Sequence, residues 1–588
     1  MYGSLLPPRP EPPPVAADRA TRARARPVLL LCLVFAVAGV VRLQRARPGP
    51  RLDASASSAR GAQSSSSARG AQSSSSARGA QSASSARGAQ SSDDDDDDAD
   101  DDGVLTKVIT HDDLLNVTSV RHFVESQGVD VNTASLETLL KYVPRKMRVK
   151  LDAALVEGGI GSAALGGYVA FDMCYQDDAS SGIVASYLVV MDLYGTIRQI
   201  HPTYHDGTMW RPLGLKLKSA SELLVAAGDG TSLSGRRATY NWRNDTWSWI
   251  ADRQTGDAHD IQVGASGDTL WQPDLDEYDY STGDPISSAQ IHDTMDINHV
   301  QLVEDDAVAI ISSRMTSSIV KVETSDDAVR WTLGGEYGTV PIVDLDGTEY
   351  SAGSSVWSCQ HNAEYFGDGE FMMFDNHAEL SGDSRLLIIK YEDSTDDAAT
   401  VEWEYLFDGK CPFFGDNDRL PTGNLLGCYW PETQYADDGE SYDELAVEVV
   451  RDSKATAWRL EVVGAGCDGP TGSTCNRATG TGWTFYSIER FYTAPLLYAV
   501  GCTDGTVSWT CQNNFKQMNN EDGTYKISTA SGGGADGGDD DLASGTFTFA
   551  SYWQPADRSA DAQLASGDYT LTIENEWGDT ASVDFTCT

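Results

Sequence analysis

"SSIVKVETSDDAVRWTLGG", residues 317–335, is an aliphatic strand, an acidic turn and an alternating strand that carries a tryptophan. The design recurs in "RLLIIKYEDSTDDAATVEWEYLF" (385–407) and "LAVEVVRDSKATAWRLEVVG" (445–464). Weaker copies are "SYLVVMDLYGTIRQI" (186–200) and "RRATYNWRNDTWSWI" (236–250). Alternation of period 2 between turn residues marks antiparallel hairpins. Similar hairpins at irregular intervals fit radially repeated blades, because ring closure leaves only short, protected sheet edges. The chain therefore reads as all-β, with a β-propeller of five or six blades over residues 161–500. A double β-sandwich is the alternative.

The flanks differ in texture. In residues 501–588, "SGTFTFASYW" and "GDYTLTIENEWGDTASVDFTC" alternate without the tryptophan hairpin, which predicts a small Ig-like β-sandwich. Residues 111–160 predict a short helical collar. Within it "SLETLLKYVPRKMRVKLDAAL" (135–155) spaces its apolar residues near 3.6 after Ser135, with Pro144 dividing the run.

Residues 1–27 are rich in Pro and Arg and predict disorder, and an apolar run, Val28–Val41, follows within 28–43. Arginines flank it on both sides, so it reads as an uncleaved signal-anchor, with a cleaved signal peptide as the alternative. Residues 44–110 repeat "ARGAQ" from 59, 68, 77 and 86 and include the acidic run 93–102, a composition that predicts a flexible stalk. The expected location is the secretory pathway, as a single-pass type II membrane protein facing the lumen or exterior, or alternatively secreted. The sequons at Asn116 and Asn244 agree with that. Of ten cysteines, Cys467/Cys475, Cys502/Cys511 and Cys411/Cys428 are close enough in sequence to pair.

The formal net charge of −45, from 88 acidic and 43 basic side chains, excludes a nucleic-acid partner, since nothing would offset phosphate repulsion. No phosphate-binding loop, metal-spaced His/Cys cluster or serine elbow is visible, and neither a cofactor nor a metal is expected. Histidine is scarce, nine in 588 residues, and four polar groups at strand ends stand out. They are His259 in "AHDIQVGASGDTLWQP", Asn298 and Arg314 in "DINHVQLVEDDAVAIISSRMTSSIVKV", and His361 in "WSCQHNAEYFGDGEFMMFDN". Taken singly, the histidines read equally as core residues, Arg314 as an ion-pair partner and Asn298 as a turn residue.

Their order changes that reading. "DINHVQ", "AIISSRMTSSIVKV", "QHNAEYF", "FMMFDN", "GDNDRLPTGNLLGCYWP" and "GWTFYSIERFY" together resemble the arylsulfotransferase family over roughly residues 165–500. The likeness is to the shorter relatives of enzymes that move sulfate between phenols without a nucleotide donor. The resemblance implies a propeller whose funnel holds an aryl sulfate donor and a phenolic or other hydroxyl acceptor. It implies that His361 becomes transiently sulfated, that Arg314 binds the sulfuryl oxygens, and that Asn298 and His259 complete the site. One position departs: where the family has a histidine, this chain has Asp296.

Such residue types suit the chemistry. A neutral imidazole approaches a sulfate ester without adding charge, and two transfer steps have lower barriers than one. A guanidinium offers a planar fork to two oxygens. An ionised Asp296 beside a sulfuryl group is unfavourable, so it is expected to orient a histidine or to stay protonated. The alternative function is a catalytically inactive propeller acting as a lumenal or cell-surface binding module, with Asp296 as the mark of lost activity.

Overall fold

The computed structural model of the chain describes residues 103–588 apart from 177–181, 230–234, 251–255, 290, 394, 432, 437–441, 465–472, 477–481 and 531–540. The apolar segment 28–43, the arginine-rich start and the repeat stalk lie outside the described residues, as does Cys467 of the proposed Cys467/Cys475 pair. Among the described residues no helix is long and apolar enough to cross a membrane.

Among the described residues six sheets make up the central part, each built on antiparallel strands, and one adds the strand Ile342–Val343 parallel to Ala399–Leu406. Their innermost strands are Ile488–Phe491 (blade 1), Arg211–Ser219 (blade 2), Gln262–Val263 (blade 3), Ile297–Val303 (blade 4), His361–Tyr365 (blade 5) and Asp416–Arg419 (blade 6). Neighbouring innermost strands pack against one another around a closed circuit. Between blades 2 and 3 the contact is Gly214 N donating to Ala258 O at 3.1 Å. A Cβ at Gly214 would lie 2.8 Å from the Asp260 backbone, so only glycine allows that approach. Of the expected five or six blades, the described residues form six.

Blade 1 closes the ring. The late strand Ile488–Phe491 pairs with Tyr168–Gln176, the first strand of the propeller. Asp172, fully buried, secures the join by accepting from Tyr486 N (2.6 Å), Ser487 N (2.7 Å) and Arg211 Nε (2.9 Å). The recurring tryptophan is an inter-blade spacer. Trp403 Nε1 of blade 5 donates to Arg451 O of blade 6 at 2.6 Å, and Trp458 Nε1 of blade 6 to Leu193 O of blade 1 at 3.0 Å. Full burial of such a side chain contributes about 1.5–3 kcal/mol.

The N-terminal flank departs from the predicted collar. Helices His111–Asn116, Thr118–Ser126, Leu136–Leu139 and Ala153–Glu157 are present, but Lys146–Asp152 is a strand. It pairs with Thr456–Val463 of blade 6 and with Val104–Thr110, which belongs to this sheet rather than to the stalk. Met147, Val149 and Leu151 are buried in alternation, a period-2 pattern that the sequence superimposes on 3.6-residue spacing. Pro144 lies between the helix Leu136–Leu139 and this strand.

The C-terminal module begins at Leu496, before the predicted 501. A three-stranded and a four-stranded sheet share a core around Trp509, Ile527, Phe549 and Leu571. Cys502 is bonded to Cys587, joining the two sheets, and Cys511 and Cys428 are free, against the pairings drawn from sequence proximity. Proximity along the chain lost to register: Cys587 ends the strand that packs beside Leu496–Thr503. Lys516 carries the module into the propeller axis. Its ammonium pairs with Glu364 of blade 5 and, at 2.7 Å, with Asp418 of blade 6.

Candidate active site

His361 opens the innermost strand of blade 5 and is 3% exposed. Two left-handed residues aim it, Cys359 (φ 56°) and Asn362 (φ 46°), conformations that cost non-glycine residues about 1 kcal/mol or more each. Neighbours hold both in place. Cys359 N donates to Ser317 Oγ at 3.1 Å, and Asn362 Nδ2 donates to Asp416 Oδ1 at 2.5 Å and Asn417 O at 2.8 Å. Gln360 fastens the stretch to blade 4 by donating to Ser313 O and Ser318 O at 3.2 and 2.9 Å.

The tautomer of His361 follows from its partner. Asn376 Nδ2 donates to the carbonyls of Cys411 and Phe414, both at 2.8 Å, which turns its Oδ1 toward the ring. His361 Nδ1–H therefore donates to Asn376 Oδ1 at 2.6 Å and leaves the Nε2 lone pair bare. Burial, with Arg314 and His259 repelling positive charge, pushes the His361 pKa down to about 3 against the Asn376 bond. At neutral pH this imidazole is uncharged.

His259 is the opposite case. Burial disfavours its charged form. The Asp257 carboxylate, 2.5 Å from Nδ1, and Asp296 outweigh that and hold its pKa above the usual value. Asn298 donates from Nδ2 to Gln360 O at 2.8 Å, and its Oδ1 is buried without a partner. His259, Asn298 and His361 line one cavity with Tyr486, closed here to about 10 Å³, room for no more than about one water. The Tyr486 ring centroid lies 5.8 Å from that of His259 and 6.1 Å from that of His361, and its hydroxyl is buried without a partner.

Arg314 and Asp296 do not line that cavity. They face each other where the first two strands of blade 4 end, Arg314 Nη1 2.8 Å from Asp296 Oδ2. The guanidinium sits 5.3 Å from the Phe413 ring centroid, and its buried Nε has no partner. Burial acts to raise the Asp296 pKa, but Arg314 and then His259 and His361 lower it below the ordinary value. The expectation of a protonated Asp296 is thus corrected: the neighbouring guanidinium keeps it ionised. His299 turns away from the cavity and meets Asp260 Oδ2 at 2.7 Å.

Asn376, Tyr486 and Asp257 carry functions that sequence reading did not assign. The first two stand in the quoted motifs "FMMFDN" and "GWTFYSIERFY", and Asp257 is two residues before His259.

The sequence profile of the arylsulfotransferase (ASST) family matches residues 244–394, a segment that contains His259, Asp296, Asn298, Arg314, His361 and Asn376. Over that segment the chain is similar to the arylsulfotransferase family. Tyr486 and the closing strand of the propeller lie beyond the matched segment. No curated protein matches the chain. Among solved structures it is similar to a chain of a nidogen/laminin complex (9% identity, 55% of this chain and 98% of that one, TM-score 0.31). It is also similar to the periplasmic gluconolactonase PpgL of Pseudomonas aeruginosa (9%, 54% and 99%, TM-score 0.29). The β-propeller domain of Cps50 (Swd1) from Myceliophteria thermophila is a third (7%, 54% and 96%, TM-score 0.29).

Proposed function

We propose that this protein moves a sulfuryl group from a phenolic sulfate ester to a hydroxyl acceptor through a sulfohistidine at His361. The observation that carries the reading is the divergence of two neighbouring imidazoles. His361 is held neutral at a pKa of about 3 with Nε2 bare, while His259 is held above its usual pKa. Two titratable groups pushed apart in one cavity divide the labour into nucleophile and acid.

In the first step the His361 Nε2 lone pair attacks sulfur, and the bond from sulfur to the phenolic oxygen breaks. Its electron pair leaves on that oxygen, which takes the proton of the His259 imidazolium. In the second step the acceptor hydroxyl gives its proton to His259 as its oxygen attacks sulfur. The N–S pair then returns to Nε2. Arg314, outside the closed cavity but near enough for its charge to act on His361, stabilises the sulfuryl oxygens in both steps, and the bare hydroxyl of Tyr486 supplies a further donor. Asp296 has two effects. It sustains the charge on His259, and it occupies a guanidinium hydrogen that the sulfuryl group needs.

That second effect favours another reading, a propeller that binds a ligand without turnover. An assay of chromogenic aryl sulfates, with and without a phenol acceptor, separates the two. Phenol release that depends on His361, with sulfate recovered on the peptide containing it, supports transfer. Absence of turnover across aryl sulfate donors supports binding alone. We place the propeller in the lumen or outside the cell, anchored by residues 28–41 or secreted. Exposed Asn116 and Asn244 and the Cys502–Cys587 bond suit that compartment, and glycan occupancy at the two asparagines tests it.

A further inference from the structure

A cavity of about 390 Å³, within the range of small-molecule pockets, opens where blades 2 and 3 meet the C-terminal module. Lys216 lines both this cavity and the closed one at His361, so the two adjoin. None of the groups assigned to sulfuryl transfer lines the larger one.

Its wall combines an aromatic face with an unsatisfied acceptor. Trp577 is 38% exposed, and its ring centroid is 4.4 Å from that of Phe515, which fixes its orientation. Gln517, 9% exposed, donates from Nε2 to Glu576 Oε1 at 3.0 Å, and its Oε1 is buried with no partner. A buried acceptor left bare is costly and calls for a donor from outside the protein. Glu521 and Glu576 add carboxylate acceptors, while Lys216, Lys218 and Lys516 place ammonium groups in the same wall. The lysines oppose a cation, and the glutamates oppose an anion. A neutral molecule that offers several O–H donors and a flat apolar face meets every one of these groups.

We propose that this cavity is a second, non-catalytic binding site for a neutral sugar unit, its ring face on Trp577 and a hydroxyl donating to Gln517 Oε1. The site is independent of sulfuryl transfer and stands whether or not His361 is sulfated.

The test is saturation-transfer NMR on the full chain with methyl glycosides of glucose, galactose and N-acetylglucosamine. Glucosamine and glucuronate serve as charged comparisons. The expected result is transfer to the ring protons of at least one methyl glycoside, exceeding both charged probes. Trp577→Ala and Gln517→Leu should each weaken it about tenfold, with Trp577→Phe retaining most of it and His361→Ala all of it. The proposal is overturned if no methyl glycoside receives transfer, if binding survives both weakening variants, or if a charged probe binds more tightly. Loss of binding in His361→Ala would likewise overturn it, whereas loss of turnover in that variant bears only on the transfer reaction.

Discussion

Arg314 and Asp296 hold each other twice, through Nη1 to Oδ2 at 2.8 Å and through Arg314 N to Asp296 O at 3.0 Å. The backbone bond fixes the spacing, and the side-chain pair occupies the guanidinium that binds the sulfuryl group in the proposed transfer. Asp296, at φ 58°, is in the left-handed region, so the pair is built into the turn that precedes the innermost strand of blade 4.

Asp296→His is expected to keep or increase donor turnover, because it releases the Arg314 fork. It also removes a carboxylate that raises the His259 pKa. The protonated fraction of His259 then falls off at lower pH, so the alkaline limb of the rate profile moves down. A pH–rate series on wild type and variant reads this out, and an unchanged limb contradicts the coupling.

His361→Ala abolishes transfer and Asn376→Leu lowers it about 10²–10³-fold, since the ring loses the partner that fixes its tautomer. Asn376→Asp is more telling. A carboxylate at Nδ1 stabilises the imidazolium, raises the His361 pKa from about 3, and brings an acid limb into the measurable range.

Tyr486→Phe should lower turnover about tenfold or more while leaving the melting temperature unchanged or slightly higher. The lost hydroxyl is buried and makes no bond in the resting protein, so its removal takes nothing from the fold. A parallel loss of stability would mean that the hydroxyl is structural.

Glu489 gives a stability prediction with a definite sign. Burial lifts its pKa to about 8, against the Lys216 and Lys516 charges, whereas the unfolded side chain titrates near 4.5. Between those values the folded state binds more protons, so stability falls as pH rises from about 4.5 to about 8. Denaturant unfolding of Glu489→Gln across that window should show a flatter profile than wild type.

Lys516→Met leaves Glu364 and Asp418 buried without their cation, and the expected cost is about 3–5 kcal/mol. Urea unfolding measures it. A cost below about 1 kcal/mol would falsify the view that the C-terminal module is locked to the axis through this residue.

The hairpins around Trp331, Trp403 and Trp458 were legible because strand alternation and turn composition are local, and the propeller follows from their repetition. Lys146–Asp152 was misread because Leu139, Val143, Met147 and Leu151 also fit a helical stripe. Pairing with Thr456–Val463, three hundred residues away, decided between the periods. Cys502 shows the same limit, since its partner is set by sheet register and not by nearness. At the site, residue type pointed to His361 and His259. What separates their charge states is supplied by Asn376, Asp257 and Arg314, and a sequence does not state who bonds to whom. The Arg314–Asp296 pair could be suspected from the departure at Asp296, but its hydrogen bond to the guanidinium could not.

The pairing of Ile488–Phe491 with Tyr168–Gln176 also sets the order of events during biosynthesis. The edge of the first blade stays uncovered until the ribosome has delivered nearly the whole wheel. Throughout that interval an apolar strand offers unpaired amides to any neighbouring nascent chain. Products cut short before residue 488 should aggregate even though most of their blades are intact, and folding helpers have this edge to guard.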